Sequence, residues 1–190
     1  MVFGGHLNAW MWHIKKTLCH PKADEEKRSL FREQIDHFKQ ESRSLVFLDE
    51  SGFAHDMPST HGYALKGKRC FGKHDWGAKG RTNAIGALLN GLLLTVSLFD
   101  VTIDAIIFTE WIKQDLIPKL PPHSIVIMDS ASFHKGKEMQ EAIEKSGHTL
   151  LYLPTYSPDL NPIEQKWAQA KSIRRRQNCD IETLFHNNNL

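Results

Sequence analysis

Several features that mark particular classes of protein are scarce or missing in this sequence. Only three of its 190 residues are cysteine, and no two of them form a C-x-x-C pair. That pattern argues against a redox motif or a thiolate zinc site, so we expect reduced cysteines. Eleven histidines are present, but none stands in an H-E-x-x-H or similar spacing. A histidine metal centre is therefore not predicted.

Long apolar runs and targeting signals are also lacking. The most apolar window, 84–99, is shorter than a bilayer span and contains Asn90, Thr95 and Ser97. No basic segment followed by an apolar stretch opens the chain, so secretion is not supported. We expect no membrane segment and a cytoplasmic location.

The net charge of +2 is small, but the basic residues are clustered. The first cluster has a single acid among its members and consists of Lys66, Lys68, Arg69, Lys73, Lys79 and Arg81. The second has no acid and consists of Lys166, Lys171, Arg174, Arg175 and Arg176. A basic run is most often a solvated surface, and it indicates nucleic-acid contact only beside a catalytic site.

Hydrophobic periodicity and turn residues predict alternating strands and helices. Helices are predicted over 24–40, from Asp104 to Pro118, over 137–146, and from Asn161 as N-cap with Pro162 at the first helical position. Strands are predicted over 44–49, ending at a Ser51-Gly52 turn, and over 62–67, 83–89, 92–99, 124–129 and 149–153. Asn90-Gly91 predicts a hairpin between two of them, because both turn positions need positive φ.

This order of elements indicates an α/β fold with a mixed central sheet and helices on both faces. A ribonuclease H-like fold fits it. We divide the chain into an irregular lead-in with a linker helix over 1–43, a main domain over 44–177, and a polar tail over 178–190, which we expect to fray beyond Arg176.

Three carboxylates are predicted at positions that this fold would bring close together, at one edge of its sheet. Asp49 and Asp129 are predicted at the carboxyl ends of strands, and Glu164 one short turn into the last helix. Ligands of open α/β sheets bind at that edge. Three carboxylates in one crevice repel one another unless a cation neutralises them, and all-oxygen donors suit Mg²⁺ or Mn²⁺. Two such ions would support cleavage or joining of a phosphodiester.

Each of the three acids also has a purely structural explanation. An aspartate that closes a strand is often only a turn former. Asn161-x-x-Glu164 is a capping-box pattern, in which the glutamate would bond back to the N-cap amide. The functional interpretation therefore depends on the conjunction of the three acids.

The segments around the acids resemble a known family. They are Leu48 to Phe53, Gly62 to Gly67, Ile127 to His134 and Leu153 to Trp167. In content and order they look like the DDE domain of bacterial insertion-sequence transposases of the mariner superfamily. Between Asp129 and Glu164 lie 34 residues, the spacing of the D-D-34-E group. The resemblance covers about Lys15 to Arg176.

The resemblance implies that Asp49, Asp129 and Glu164 hold two Mg²⁺ ions, for which Mn²⁺ would substitute, and that they are the catalytic residues. The expected reaction is hydrolysis at the transposon ends followed by strand transfer into target DNA. Ser130 stands where an asparagine is frequent in the family. His134 and Trp167 match the motifs, the first as an orienting residue and the second as core packing.

The expected partner is double-stranded DNA, and the family implies a homodimer in the active complex. Charge clustering alone selects the predicted DNA contacts, which are Lys66, Arg69, Lys79, Lys171 and Arg174. Family members begin with a helix-turn-helix region, and nothing before Lys15 has that pattern. An upstream helix-turn-helix polypeptide of a split element is therefore a further candidate partner, and the cytoplasmic protein would join the nucleoid when bound to DNA.

Two other functions remain open at the level of the sequence. A structure-selective or RNA-hybrid nuclease would share the metal site without strand transfer. An inactive relic, or a DNA-binding or assembly module, would share only the fold.

Overall fold

A computed structural model of the chain describes residues 21–56, 65–69, 80–187 and 190. The strands are β1 (Leu45–Ala54), β2 (Arg81–Leu89), β3 (Leu92–Phe99), β4 (Ile125–Met128) and β5 (Thr149–Tyr152). The α-helices are α1 (Glu25–Gln40), α2 (Ala105–Trp111), α3 (Lys137–Lys145), α4 (Ile163–Gln177) and α5 (Ile181–Asn187). A π-helical turn over Ile112–Leu116 extends α2, and 3₁₀ turns cover Ile117–Lys119, Ser132–Lys135 and Pro158–Leu160.

The strands form one mixed sheet in the order β3-β2-β1-β4-β5. β1, β2 and β3 are antiparallel neighbours, whereas β4 and β5 run parallel to β1. α2, its π-helical extension and α3 cover one face, and α1, α4 and α5 cover the other. The predicted ribonuclease H-like α/β fold, with helices on both faces of a mixed sheet, is confirmed.

Local sequence signals account for much of this architecture. Asp24 caps α1 by accepting from the amides of Glu26 and Lys27, and Asp104 caps α2 in the same way. Asn90 and Gly91 both have positive φ, as the predicted hairpin requires. The predicted long helix after Asp104 is α-helical only to Trp111. It then widens into the π-helical turn and tightens into the 3₁₀ turn that contains Pro118, whose nitrogen cannot donate to a carbonyl one turn back.

Two strand predictions need correction. β1 does not stop at Asp49 but continues to Ala54, because β2 supplies a hydrogen-bonding partner along that whole length. In the segment predicted as a strand over 62–67, residues 65–67 form no strand, and 62–64 lie outside the described residues. Gly67 has a φ of 85°, and the Lys68 amide donates to the Leu65 carbonyl, which makes this a turn.

The prediction that the chain frays beyond Arg176 is wrong for the described residues there, 177–187 and 190. α5 packs against α4 and the sheet, with Ile181, Leu184 and Leu190 buried. The Leu93 amide also donates to the Leu190 carbonyl. Ile181, Leu184 and the partly buried Phe185 stand at helical spacing on one side of α5, and their burial outweighs the polar average of this segment. The tail therefore completes the core on this face of the sheet.

α1 is packed on the sheet. Its Phe31 and Ile35 are buried against Ile125, Ile127 and Leu153. Among the described residues, no helix is both long enough and apolar enough to cross a bilayer.

Candidate active site

The three predicted acids line one cleft of about 430 Å³. In the parallel pairing of β1 with β4, Phe47 lies opposite Ile127, so Asp49 and Asp129 follow two residues later on the same edge. Glu164 reaches the cleft from the first turn of α4. Ser130, Ala131 and the loop residues 153–158 and 161 complete its lining. The fold thus brings together residues that lie more than 100 positions apart in the chain.

Asp49 is the most perturbed of the three acids. Burial, the nearby Glu164 and Glu50 carboxylates, and Asp129 together raise the pKa of Asp49 to about 8. The indole Nε1 of Trp167 donates to Asp49 Oδ2 at 3.1 Å. Trp167 was expected to be core packing only; it is buried in the core, and it also orients this carboxylate.

The loop before Glu164 is attached to β1 and does not form the capping box that its sequence suggests. The Asn161 side chain donates through Nδ2 to the Leu48 carbonyl at 3.1 Å. Its Oδ1 is buried without a hydrogen-bond partner, and the N-cap of α4 is Pro162, without a side-chain cap. The predicted N-cap role of Asn161 is therefore wrong. The amide instead joins the Glu164 loop to the strand that carries Asp49.

Asp129 is held by a histidine. Asp129 Oδ1 accepts from the Ala131 amide at 3.0 Å and lies 2.5 Å from His134 Nδ1. The hydrogen bond from His134 holds the pKa of Asp129 below its usual range. Burial works against the charged imidazole, but its bonds to Asp129 and Glu50 outweigh that effect and raise the pKa of His134 to about 9.

Glu50 is the partner that sequence reasoning missed. Its Oε1 lies 2.8 Å from His134 Nε2. Because side chains alternate along a strand, Glu50 points to the opposite face of the sheet from Asp49, and nothing local connects it to His134, 84 positions away. Its place beside Asp49 in the first motif was the only available signal.

The donor set suits a hard divalent cation in type and in charge. All three acids offer oxygen, and a cation would offset both the burial and the carboxylate repulsion that raise the pKa of Asp49. Within the part of the chain that the structure describes, no three acidic, histidine or cysteine side chains are already arranged around a common metal position. Asp49 and Asp129 each direct an oxygen to Trp167 or His134 instead.

The predicted DNA contacts differ in how exposed their side chains are. Lys66 and Arg69 are exposed, and Lys79 lies outside the described residues. Lys171 is partly buried, with its ammonium 5.4 Å from the centre of the Phe53 ring. Arg174 contradicts its prediction: it is buried and donates to three backbone carbonyls, those of Ala54, His55 and Cys179. Helical periodicity turns Arg174 inward, and there it ties α4 to the end of β1 and to the chain before α5.

Gly86 is required for the position of Trp167. It pairs with Asp49 across β1 and β2, and a Cβ at this position would stand 2.6 Å from Trp167 Cη2. We expect Gly86→Ala to lower the free energy of unfolding by about 1–3 kcal/mol, because the indole must shift in a packed core. Urea denaturation measures this change.

Gly136→Ala is the matched control for that substitution. A Cβ at Gly136 meets nothing within 4 Å, and its φ is −60°. Its effect should stay within about 0.5 kcal/mol. If both variants had wild-type stability, close packing of Trp167 on Gly86 would be refuted.

A comparison with protein-family models shows which family this chain belongs to. The model of a family described as DDE superfamily endonuclease matches residues 44–184. The chain belongs to this family. The prediction of a DDE-type protein is confirmed, whereas its assignment to the bacterial insertion-sequence branch stays a prediction.

Solved structures of the Mos1 mariner transposase share the fold of this DDE family member. The paired-end complex with the left transposon end gives a TM-score of 0.65 at 17% identity, and covers 86% of this chain and 54% of that chain. The strand transfer complex gives 0.63 at 15% identity, with 93% and 61% covered. The catalytic domain gives 0.54 at 14% identity, with 88% and 87% covered. This chain thus spans 54% and 61% of the lengths of the first two. A comparison with curated proteins found no match.

Proposed function

We propose that this chain is the catalytic domain of a mariner-like DDE transposase, which hydrolyses phosphodiesters at transposon ends and transfers the freed strand into target DNA. The observation that carries the proposal is the meeting of Asp49, Asp129 and Glu164 in one cleft, where burial and then the neighbouring carboxylates raise the pKa of Asp49 to about 8. A cleft that concentrates negative charge in this way is built to receive cations.

Asp49, Asp129 and Glu164 would together hold two Mg²⁺ ions, or Mn²⁺ in their place. When bound, such a pair activates the attacking oxygen and stabilises the leaving oxygen of a phosphodiester displacement. The Mos1 structures include complexes with Mg and with Mn, which supports this assignment. No histidine or thiolate among the described residues lines this cleft, which favours these hard ions over zinc.

The protein's own part in the reaction is to fix the three carboxylates before DNA arrives. Trp167 orients Asp49, His134 orients Asp129, and Asn161 ties the Glu164 loop to β1. Trp167 and His134 therefore limit the rotation of two of the three carboxylates, and Asn161 holds the loop that leads to the third. Such preorganisation reduces the rearrangement that the reaction itself would require.

Double-stranded DNA is the proposed substrate, as transposon ends and as target. Lys66, Arg69, Lys79 and Lys171 are the proposed phosphate contacts, and Arg174 is not among them. Solved Mos1 complexes hold transposon ends and a strand-transfer state, which favours DNA as the ligand and a homodimer as the active form. An upstream helix-turn-helix polypeptide and a nucleoid-associated location in the cytoplasm complete the proposal.

The alternatives predict different products. A structure-selective nuclease would cut DNA without joining it, and an inactive assembly module would do neither. The retention of all three carboxylates in one cleft, with a positioning partner on two of them, favours the enzyme over the inactive module.

Cleavage and joining can be measured with the purified chain and two labelled DNAs. A duplex reports nicking, and an oligonucleotide duplex with a free 3′-hydroxyl reports covalent joining to a plasmid. We expect both products in Mg²⁺ or Mn²⁺ and neither in chelator. Nicking without joining would favour the nuclease, and a folded chain that yields neither product would refute the proposal.

Two aspartate variants control for contaminating nucleases in that assay. Asp129→Ala removes a cleft carboxylate and should abolish both products. Asp36→Ala removes an exposed aspartate of α1, whose ion pair within the described part of the chain is with the nearby Lys39, and should leave both products unchanged. Equal activity of the two variants would trace the products to a contaminant.

A further inference from the structure

A buried chain of polar contacts leads from Glu50 to the cleft. Glu50 Oε1 lies 2.8 Å from His134 Nε2, and His134 Nδ1 lies 2.5 Å from Asp129 Oδ1. The histidine side chain is only 1% exposed, so water does not compete for either nitrogen. Glu50 itself does not line the cleft and lines a smaller recess instead, together with Ser51 and Arg81. The side-chain contact of Glu50 with the cleft therefore runs through His134, while its charge also acts on the neighbouring Asp49.

The imidazole has little freedom to rotate by itself. Its ring lies 4.4 Å from the centre of the Phe108 ring, on the α2 side of the sheet. The His134 carbonyl accepts from the Tyr152 hydroxyl at 2.6 Å, and that hydroxyl in turn accepts from Gln140. Tyr152 thus holds the His134 backbone, and Phe108 packs against the ring. These two contacts leave open the rotation of the imidazole about its Cβ–Cγ bond. The bond to Glu50 fixes that rotation.

Orientation of the ring decides the orientation of Asp129. Because the ring presents Nε2 to Glu50, it presents Nδ1 to Asp129 Oδ1, which also accepts from the Ala131 amide. Two donors on one oxygen fix the plane of a carboxylate and so the direction of its second oxygen. A ligand carboxylate held by such outer contacts binds its metal more tightly than one that rotates freely.

We infer that Glu50 is a positioning residue that acts through His134 to set the carboxylate of Asp129 for binding a divalent cation. This inference rests on the proposed function, because it assumes that Asp129 is a metal ligand. Its consequence is specific. Loss of Glu50 should weaken the binding of metal and leave the binding of DNA and the metal-saturated rate nearly unchanged.

The test measures metal binding apart from catalysis. Mn²⁺ is titrated into the full chain without DNA, and the unbound ion is followed by electron paramagnetic resonance. The variants are Glu50→Ala, which removes the bond to His134, and Glu50→Gln, whose amide can still pair with Nε2. Glu144→Ala removes an exposed glutamate of α3 as a charge-matched control.

We expect Glu50→Ala to raise the dissociation constant for Mn²⁺ by roughly 10–100-fold. Glu50→Gln and Glu144→Ala should stay close to the wild type. In the cleavage assay, Glu50→Ala should need correspondingly more Mg²⁺ for half-maximal rate and recover at saturation. Circular dichroism and the urea midpoint establish that each variant is folded.

The contrary results separate two failures. If the wild type binds Mn²⁺ and folded Glu50→Ala binds it equally well, the positioning role is refuted while the proposed function stands. A Glu50→Gln variant as weak as Glu50→Ala would also refute it, because the retained bond would then be irrelevant. If the wild type itself binds no Mn²⁺, the metal site fails, and the proposed function fails with it.

Discussion

Replacing Asp49 by asparagine is expected to abolish DNA cleavage while it stabilises the metal-free protein at neutral pH. The rate should fall by at least about 10²–10³-fold, the usual cost of removing one group that stabilises developing charge. An amide is neutral and a poorer ligand for a hard cation, but it has the shape of the carboxylate and can keep the contact with Trp167 Nε1. Cleavage of a labelled duplex at saturating Mn²⁺ measures the loss.

The gain in stability follows from the sign of the pKa shift. Asp49 has a folded-state pKa of about 8 against 3.8 for an unperturbed aspartate, so the folded protein holds a proton that the unfolded chain releases. The free energy of unfolding of the metal-free wild type therefore falls as pH rises from about 4 to about 8. Over that window the shift corresponds to a few kcal/mol. Asparagine has no proton to lose and removes this contribution.

Urea unfolding of the two chains in chelator, at several values of pH, checks the stability prediction. The Asp49→Asn advantage should be near zero at pH 4 and grow to a few kcal/mol at pH 8. The raised pKa of His134 stabilises the folded state below pH 6.5, and this contribution is lost as pH rises to about 9, but it is common to both chains and cancels in the difference. Saturating Mg²⁺ should stabilise only the wild type. A difference that does not change with pH would contradict the charged cleft.

Arg28→Ala is expected to lower the free energy of unfolding more than the other α1 substitutions, Arg32→Ala and Asp36→Ala. The Arg28 guanidinium is buried and makes a bidentate pair with Asp159, at 2.9 and 2.7 Å, and its Nε donates to Glu25. We expect the free energy of unfolding to fall by about 3 kcal/mol, the lower end for breaking a buried pair, because Asp159 is 38% exposed and water can solvate it. Chemical denaturation measures this loss.

Arg32→Ala is the matched control on the same helix. Arg32 is about half exposed, its ion pair among the described residues is with Glu25, and it acts on Asp159 only weakly, so its loss should cost less than about 1 kcal/mol. Asp159 lies in the turn Pro158–Leu160, whose neighbours line the cleft, so Arg28→Ala should also slow cleavage and Arg32→Ala should not. Equal stability of the two variants would refute the idea that α1 supports the Glu164 loop.

That prediction follows from a feature of α1 that no local pattern revealed. Its capping aspartate and apolar spacing predicted a helix, and a helix is present. Its role as a support of the cleft depends on a contact across 131 positions, from Arg28 to Asp159. Long-range pairs of this kind depend on how the elements pack.

The wrong sequence predictions for Arg174 and Asn161 have the same physical cause. Arg174 looked like a member of a solvated basic run, but the phase of α4 turns it toward three carbonyls. Asn161 looked like a helix cap, but its amide is used by β1. In each case a tertiary partner displaced the local one, because a buried polar group must be satisfied wherever the fold places it.

The sequence by itself determined the order of most strands and helices, the Asn90-Gly91 hairpin and the choice of three acids that line one cleft. Those features depend on periodicity, on φ preferences and on motif spacing, which are properties of neighbouring residues. Only the tertiary structure decided that Trp167 holds Asp49, that Asp129 is the acid His134 orients, that Glu50 stands behind His134, and that the tail completes the core. Those features depend on residues that are distant in the chain and become neighbours only when the sheet has formed and the helices have packed on its two faces.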